Sequence, residues 1–432
     1  MSRSVRLTAQ ANSIAVRLTA EEDDMNKARA LLEEAKNSSP RGTTWLQIGR
    51  AYMELEDFSA SHQALAQARQ DLKNNPALEL FSAILCIDEN ETAAAQKHLD
   101  ELQRLCPDNQ ALPTARALCL LRQKKIADAL NILRHPHSES EKYDLAVSPL
   151  LISRLASAVE MILLPQELPP KELLQAKGGS QHIQIVEDRS AESCEESPST
   201  GDIAQSPADT EIPNANAPAQ DPGIADPAAF AQELLPHLPQ LPDGMAVGGF
   251  RLRGSGTERL QRSWNLPESE RSKQFKLAVH ELYQAYTASP TAYQSAFNLA
   301  EGLLAMAEYG RERSLPYDAY ALTLVRFAEQ LLREALIRDK DTAFASHYLA
   351  RTALLQHRYT EAADYWKSAL DHFAKLPEAY YGLGQAMIML KKNRLGRLYI
   401  AQAVNSDMHL LRERLADLEY VAKHRTDMEL GE

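Results

Sequence analysis

The chain has 432 residues, of which 44% are hydrophobic and 25% are charged, enough for a sizeable buried core and for two or three domains. The net charge of −12 lies mostly in residues 165–246, with 3 Lys/Arg against 14 Asp/Glu, so the flanking parts lack the basic excess of a general nucleic-acid binder. Four cysteines, none at CxxC spacing, are too few for a disulfide framework and argue against a structural zinc site.

No segment has the pattern of a signal peptide or of a membrane span. Residues 1–20 contain no apolar h-region. The most apolar stretch, Val147 to Leu164, is interrupted by Arg154 and Glu160 and is shorter than the roughly 20 apolar residues that a span needs. We therefore expect no membrane span and a cytoplasmic location.

An internal repeat defines both ends of the chain. The repeated pattern is a small residue, a large apolar residue four positions later and, in most copies, a second small residue three positions after that. It starts at Ala28, Ser61, Ala95 and Ala129, and again at Ala328, Ala362 and Gly396. The spacings of 33 or 34 residues predict stacked helix pairs, in which small residues let helix A approach helix B of the same pair.

Within these repeats the sequence resembles the tetratricopeptide-repeat family. The segment Trp45-Leu-Gln-Ile-Gly-Arg-Ala-Tyr52 matches the family's W-x2-L-G-x2-Y pattern with Ile in place of Leu, and residues 378–386 and 346–353 are further copies. The resemblance implies an all-α fold, an α-solenoid of tetratricopeptide-like helix-turn-helix repeats. In that register we expect Trp45, Tyr52 and Ala68 to be buried between helices, and Pro40, Pro107 and Pro290 to follow the ends of B helices.

Two repeat arrays are predicted, with a linker between them. The linker holds 12 of the 22 prolines, and its acidic, Ser- and Ala-rich composition buries too little apolar surface to fold, so we predict disorder. Its apolar islands at 182–186 and 230–241 are either docking motifs or chance clusters, and we interpret the glycines at 248–256 as a flexible lead-in. The predicted domains are an N-terminal array with a capping helix (1–164), the linker (165–250) and a C-terminal array ending in a capping helix near 409–422 (251–432).

The second array departs from the period at one place. The repeat register places a small residue near position 312, but the matching alanine is Ala328, so about 16 residues are inserted near 308–327. We interpret residues 310–316 as a loop and residues 317–327 as an N-terminal extension of helix B. Insertions in solenoids map to one face and often contribute to binding.

Motifs for catalysis and for cofactor or metal binding are missing from the sequence. It contains no Walker-type loop, no HExxH, no GxSxG and no dinucleotide fingerprint. His135-Pro-His137 lacks Cys or acidic partners at ligand spacing, so we interpret it as a loop. We predict no enzyme activity, no catalytic residue, no cofactor and no metal.

The family resemblance also implies a groove for peptides, because helix A lines the concave face of such solenoids. In some members of the family a set of Lys and Asn residues clamps a C-terminal carboxylate, and Asn298 and Arg351 match only part of that set. The groove positions of helix A fall on Leu46, Arg50, Met53, Phe344, His347, Arg351, Leu354, Tyr381, Gln385 and Ile388.

These features favour a non-enzymatic adaptor or scaffold that binds protein segments on its concave faces, with the linker allowing the arrays to move independently. A structural or regulatory subunit of a larger complex and a chaperone for secreted or assembled subunits remain alternatives. Homo-oligomerisation through the solenoid edges is also left open.

Overall fold

The computed structural model describes residues 2–16, 22–134, 149–163, 249–263, 266, 268–290, 292–309, 319–338 and 343–429, which form 18 α-helices. The helices of the N-terminal part are α1 (Arg3–Ala15), α2 (Glu22–Asn37), α3 (Gly42–Glu54), α4 (Phe58–Asp71), α5 (Pro76–Asp88), α6 (Thr92–Leu105), α7 (Leu112–Arg122), α8 (Ile126–Leu133) and α9 (Pro149–Leu163). Those of the C-terminal part are α10 (Gly249–Ser263), α11 (Glu268–Ala288), α12 (Tyr293–Tyr309), α13 (Ala319–Arg338), α14 (Ala343–Leu355), α15 (Tyr359–His372), α16 (Pro377–Met389), α17 (Asn393–Ser406) and α18 (His409–Glu429).

Sixteen of these helices pack as eight antiparallel pairs, each made of a helix A and the helix B that follows it. Four pairs run from α1–α2 to α7–α8, and four run from α10–α11 to α16–α17. Consecutive A helices contact one another, so the A helices line the inner face of each array and the B helices lie outside. This arrangement is the predicted α-solenoid.

The turn between helix A and helix B has the same geometry in five pairs. One non-glycine residue in each turn has φ between 57° and 64°, the left-handed conformation that ends a helix in a Schellman motif. The next N–H then bonds back to the carbonyl five residues earlier, as Asp57 does to Tyr52 at 2.9 Å. These turn residues recur 34 positions apart within each array: Glu56, Asn90 and Lys124, then His357 and Lys391.

The repeated small and large positions form the core between helices. Every described alanine and large apolar residue of the pattern is 4% exposed or less, which confirms the predicted register. Two glycines let α16 and α17 approach each other closely. A Cβ added to Gly384 would lie 2.9 Å from the carbonyl oxygen of Gly396, and one added to Gly396 would lie 3.0 Å from that of Gly384.

Burial of the first complete repeat follows the prediction except at one residue. Tyr52 is 1% exposed and Ala68 is fully buried, and the Tyr52 hydroxyl donates to Glu33 Oε1 at 2.6 Å. Trp45 is only half-buried, so that prediction is wrong. Its side chain lies at the border of two core clusters rather than inside either one.

Helix ends and extensions follow the sequence at most positions. Helices α2, α6 and α11 end within three residues before Pro40, Pro107 and Pro290, as predicted. Helix α13 begins nine residues before Ala328, whereas five other B helices (α4, α6, α8, α15 and α17) begin three residues before their matching small residue. Residues 310–316, His135, His137, Cys194 and the predicted linker up to residue 248 lie outside the described residues.

The glycine-rich segment is helical, so its interpretation as a flexible lead-in is wrong. Gly254 and Gly256 both lie within α10. A Cβ at Gly256 would lie 2.8 Å from Leu282 Cγ, so this glycine lets α10 approach α11 closely.

Helix α9 joins the two arrays. It was expected to close the end of the first array, but it packs against α7 on one side and against α16, α17 and α18 on the other. Helix α18 also contacts α8. The expectation of independently moving arrays therefore does not describe this structure. Among the described residues, no helix is long and apolar enough to cross a membrane.

Candidate functional site

Two of the three predicted groove residues of the first array lie in its core. Leu46 is 6% exposed and Met53 is fully buried, while Arg50 is half-buried. Arg154 of α9 reaches the ends of α5 and α3, with Nε donating to Asp88 Oδ2 at 2.8 Å and Nη1 lying 3.5 Å from Glu54 Oε1. The prediction that the inner-face side chains stay outside the core is wrong for Leu46 and Met53, because both belong to the core cluster that continues into α9.

The predicted groove residues of α16 are also committed to an internal contact. The Tyr381 hydroxyl donates to Glu160 Oε1 at 2.9 Å, and Gln385 Nε2 donates to Glu160 Oε2 at 2.8 Å. Tyr381 is 5% exposed and Ile388 is 3% exposed. The expectation of an open groove at these residues is wrong, because Glu160 of α9 lies against them.

Glu160 is a fully buried carboxylate whose charge is matched by one guanidinium. Arg414 donates from Nε to Oε1 at 2.7 Å and from Nη2 to Oε2 at 2.9 Å, the planar fork geometry that arginine forms with a carboxylate. Burial alone would lower the pKa of Arg414, but the contact with Glu160 holds it well above its ordinary value. Burial and the neighbouring Glu160 raise the pKa of Tyr381 well above 10, so its hydroxyl stays a donor.

His347 is buried in the second array rather than presented to a ligand. Trp366 donates its indole N–H to His347 Nδ1 at 3.2 Å, and His347 is 8% exposed. Burial, reinforced by the nearby Arg351, lowers the pKa of His347 to about 3. The imidazole is therefore neutral near pH 7 and serves as an internal acceptor. The open-groove prediction is wrong for His347 as well.

The exposed part of the inner face lies on α14 and on its neighbour α12. Phe344 is 51% exposed, the most exposed of the predicted groove residues that are aromatic. Arg351 and Leu354 are half-buried, and the Arg351 guanidinium lies 5.2 Å from the centre of the Tyr348 ring. A cation–π contact of this kind is weakly attractive and helps to orient the charged group.

Aromatic side chains extend this surface from α14 to α12. Phe297 meets Tyr348 edge to face at 5.4 Å between ring centres, and Tyr293 stacks on Phe297 at 5.7 Å. The Tyr348 hydroxyl donates to Glu301 Oε1 at 2.9 Å. We call Tyr293, Phe297, Phe344, Tyr348 and Arg351 the aromatic row.

Sequence reasoning identified only part of the aromatic row. It found Phe344 and Arg351 but missed the three other members. The available signal was spacing: Tyr293 and Phe297, like Phe344 and Tyr348, are four residues apart and therefore share one helix face. Asn298 points elsewhere, since its Nδ2 donates to Thr257 Oγ1 of α10 at 3.1 Å.

The described side chains contain no group of three His, Cys, Asp or Glu residues that could hold a metal ion. Burial raises the pKa of the Cys86 thiol to about 11, so this cysteine stays protonated near pH 7 and is a poor nucleophile.

Comparisons with known proteins return repeat proteins at low similarity. No protein-family model matches the sequence, and no curated protein matches it. A tetratricopeptide repeat protein from Parabacteroides merdae is 10% identical with a TM-score of 0.28, over 89% of this chain and 99% of that one. Human IFIT1, as a dimer with PPP-AAAA, is 12% identical with a TM-score of 0.27, over 94% and 72% of the two chains. Yeast Tom70 is 14% identical with a TM-score of 0.27, over 89% and 69%.

The TM-scores of these likenesses are all below 0.3. We therefore transfer no partner or activity from them. The 34-residue repeat, the A–B helix pairs and the recurring turns are properties of this chain itself. On these observations the chain is a tetratricopeptide-repeat-like α-solenoid.

Proposed function

We propose that the chain is a non-catalytic adaptor that binds a protein segment across the aromatic row of the second array. The segment we expect is short, extended or helical, with apolar side chains to contact Phe344 and an acidic group to meet Arg351. The first array contributes to the scaffold and not to the binding surface, because Leu46 and Met53 of its predicted groove are buried.

The exposure of Phe344 carries this proposal. Half-exposed Phe344 lies four residues before Tyr348, whose ring meets Phe297, and Phe297 in turn stacks on Tyr293. Rings held in this way lose little side-chain entropy on binding, and aromatic and Arg side chains are prominent among interface hot spots. Leu46 and Met53 of the first array are buried and offer no such surface.

The exposed apolar side chains favour an adaptor over a general chaperone. A chaperone for unfolded segments needs a broad apolar patch, whereas single exposed apolar residues are normal on any surface. The large described apolar residues that are more than a third exposed lie apart along the chain: Val16, Ile132, Ile337, Phe344 and Phe373.

Several parts of the proposal rest on the sequence alone. The absence of catalysis, the absence of a cofactor and a cytoplasmic location remain predictions. So does the exclusion of nucleic acid, which rests on the nearly balanced charge of both arrays. Self-association stays open, as does the alternative of a permanent subunit in a larger complex.

A peptide-display experiment tests the proposed surface. The full chain is used to select binders from a random peptide library, and their affinities are measured for the wild type and for Phe344→Ala/Arg351→Ala. We expect the double variant to bind at least tenfold more weakly, since truncating one anchor costs about 2 kcal/mol or more.

The chain offers a matched control for this experiment. Phe373 and Arg333 are 45% and 48% exposed, close to the exposure of Phe344, but they lie at the end of α15 and on the B helix α13. Phe373→Ala/Arg333→Ala should leave affinity unchanged. Selected peptides that bind both double variants equally well would place the binding surface elsewhere.

A further inference from the structure

Helix α9 has the character of a core helix and not of a terminal cap. From residue 150 to 163 only Met161 and Ile162 are even partly exposed. A helix that is apolar all round is buried on all sides, whereas a cap keeps one wet face. The two charged residues of α9 fit this reading, because Arg154 is 2% exposed and Glu160 is fully buried.

The two charges of α9 serve different neighbours. They are six residues apart, which turns them roughly 120° from one another around a helix of 3.6 residues per turn. Arg154 bonds to Asp88 and lies beside Glu54, both in the first array. Among the described residues, Glu160 bonds to three of the C-terminal part, with Tyr381, Gln385 and Arg414 providing four hydrogen bonds to its two oxygens.

Further contacts between the arrays surround α9. Arg134 donates to Glu419 Oε1 at 2.6 Å, and Arg397 donates to Glu56 Oε1 at 2.7 Å. The apolar side chains at this junction form one continuous core cluster that includes Leu155, Ile400 and Leu411. The cluster therefore does not divide at the predicted domain boundary.

We propose that α9 is the helix that holds the two arrays together as one unit, and that Glu160 latches the C-terminal helices onto the first array. On one side α9 packs against α7, and Arg154 pairs with Asp88. On the other side it packs against α16, α17 and α18, and Glu160 accepts their hydrogen bonds. The two arrays should therefore stay associated when the chain between them is cut.

A nicked form of the full chain tests this proposal. A specific protease site is inserted between residues 178 and 227, the folded protein is cut, and the association of the two fragments is measured by gel filtration and as a dissociation constant. The wild-type fragments should elute together after cleavage. Fragments that separate at once would overturn the proposal.

Two matched substitutions separate the latch from general loss of stability. Glu281 is fully buried like Glu160, accepts two hydrogen bonds from Arg259 at Oε1, at 3.1 and 2.8 Å, and accepts from the Ser255 hydroxyl at 2.5 Å. Its partners all lie within the α10–α11 pair of one array. Glu160→Gln should raise the dissociation constant of the fragments at least tenfold, and Glu281→Gln should leave it unchanged. Equal effects of the two substitutions would remove the latch role from Glu160.

If Glu160→Gln does not fold, as shown by the loss of its helical circular dichroism signal, a second variant provides the test. Arg414 is the partner of Glu160 and is 25% exposed, so Arg414→Gln disturbs the same contact from its wetter side. A tenfold weaker fragment association in this folded variant supports the latch, and wild-type association overturns it.

Discussion

Substitution of Gly382 by alanine is expected to destabilise the second array, because a methyl group has no room there. Gly382 lies on α16 against Trp366 of α15, which is 1% exposed. An added Cβ would fall 2.8 Å from Trp366 Nε1 and still closer to ring atoms Cε2 and Cζ2, well inside the ~3.5–4.0 Å of an ordinary contact. The indole would have to move and to weaken its hydrogen bond to His347.

The expected loss in the free energy of unfolding combines two destabilising contributions and one stabilising contribution. Overpacking of a core costs about 1–3 kcal/mol. A weakened buried hydrogen bond adds about 1 kcal/mol. Alanine gains about 1 kcal/mol over glycine inside a helix. The net effect of Gly382→Ala is therefore a loss of about 1–3 kcal/mol in the free energy of unfolding.

Urea denaturation followed by circular dichroism measures this loss, with Gly254→Ala as the control. Gly254 is exposed within α10, and nothing lies within 4 Å of a Cβ added there. That control should be stabilised by up to about 1 kcal/mol. A Gly382→Ala protein that is as stable as the control variant would refute the packing of α16 against Trp366.

Two further substitutions test the buried charges and the buried histidine. Arg154→Met leaves Asp88 and Glu54 without their guanidinium, so it should lower the free energy of unfolding by about 3–5 kcal/mol. Adding Asp88→Asn should restore part of that loss, which a double-mutant cycle by urea denaturation measures. His347 has a folded-state pKa of about 3 against an ordinary 6.5, so the unfolded chain binds more protons and stability falls as pH drops from about 6.5 towards 3. His347→Gln should flatten that part of the pH profile, and an unchanged profile would contradict the assignment.

The helix pairs and their register were predictable because the signal is local and repeated. Small residues at Ala28, Ser61 and Ala95 recur every 33 or 34 positions, and a position that repeats seven times defines the packed face of a helix pair. The same register failed for Trp45, because a family pattern gives a residue type and not the depth at which its side chain lies in a particular array.

The contacts that α9 makes with the C-terminal helices could not be predicted from the repeat. The contact between Glu160 and Tyr381 joins residues 221 positions apart, and no periodicity connects them. A hint was nevertheless present in the stretch from Val147 to Leu164. In the sequence analysis, Arg154 and Glu160 are evidence against a membrane span. A charged residue in an otherwise apolar helix also predicts a buried partner of opposite charge.

Consecutive A helices contact one another in both arrays, as the family resemblance implies. Which predicted groove residues stay accessible depends on the position of α9, and that position is a tertiary property. Phe344 is 51% exposed, whereas α16, α17 and α18 contact α9.

Photo-cross-linking at Phe344 tests the central claim most directly. A benzoylphenylalanine is placed at Phe344, or at the similarly exposed Phe373 as a control, in the full chain expressed in its own cell. Adducts are then mapped by mass spectrometry. The account predicts one recurrent protein segment, apolar with an acidic residue, attached at position 344 and missing at position 373. Adducts that are equal at both positions, or a recurrent partner at 373 only, would contradict the assignment of the binding surface to the aromatic row.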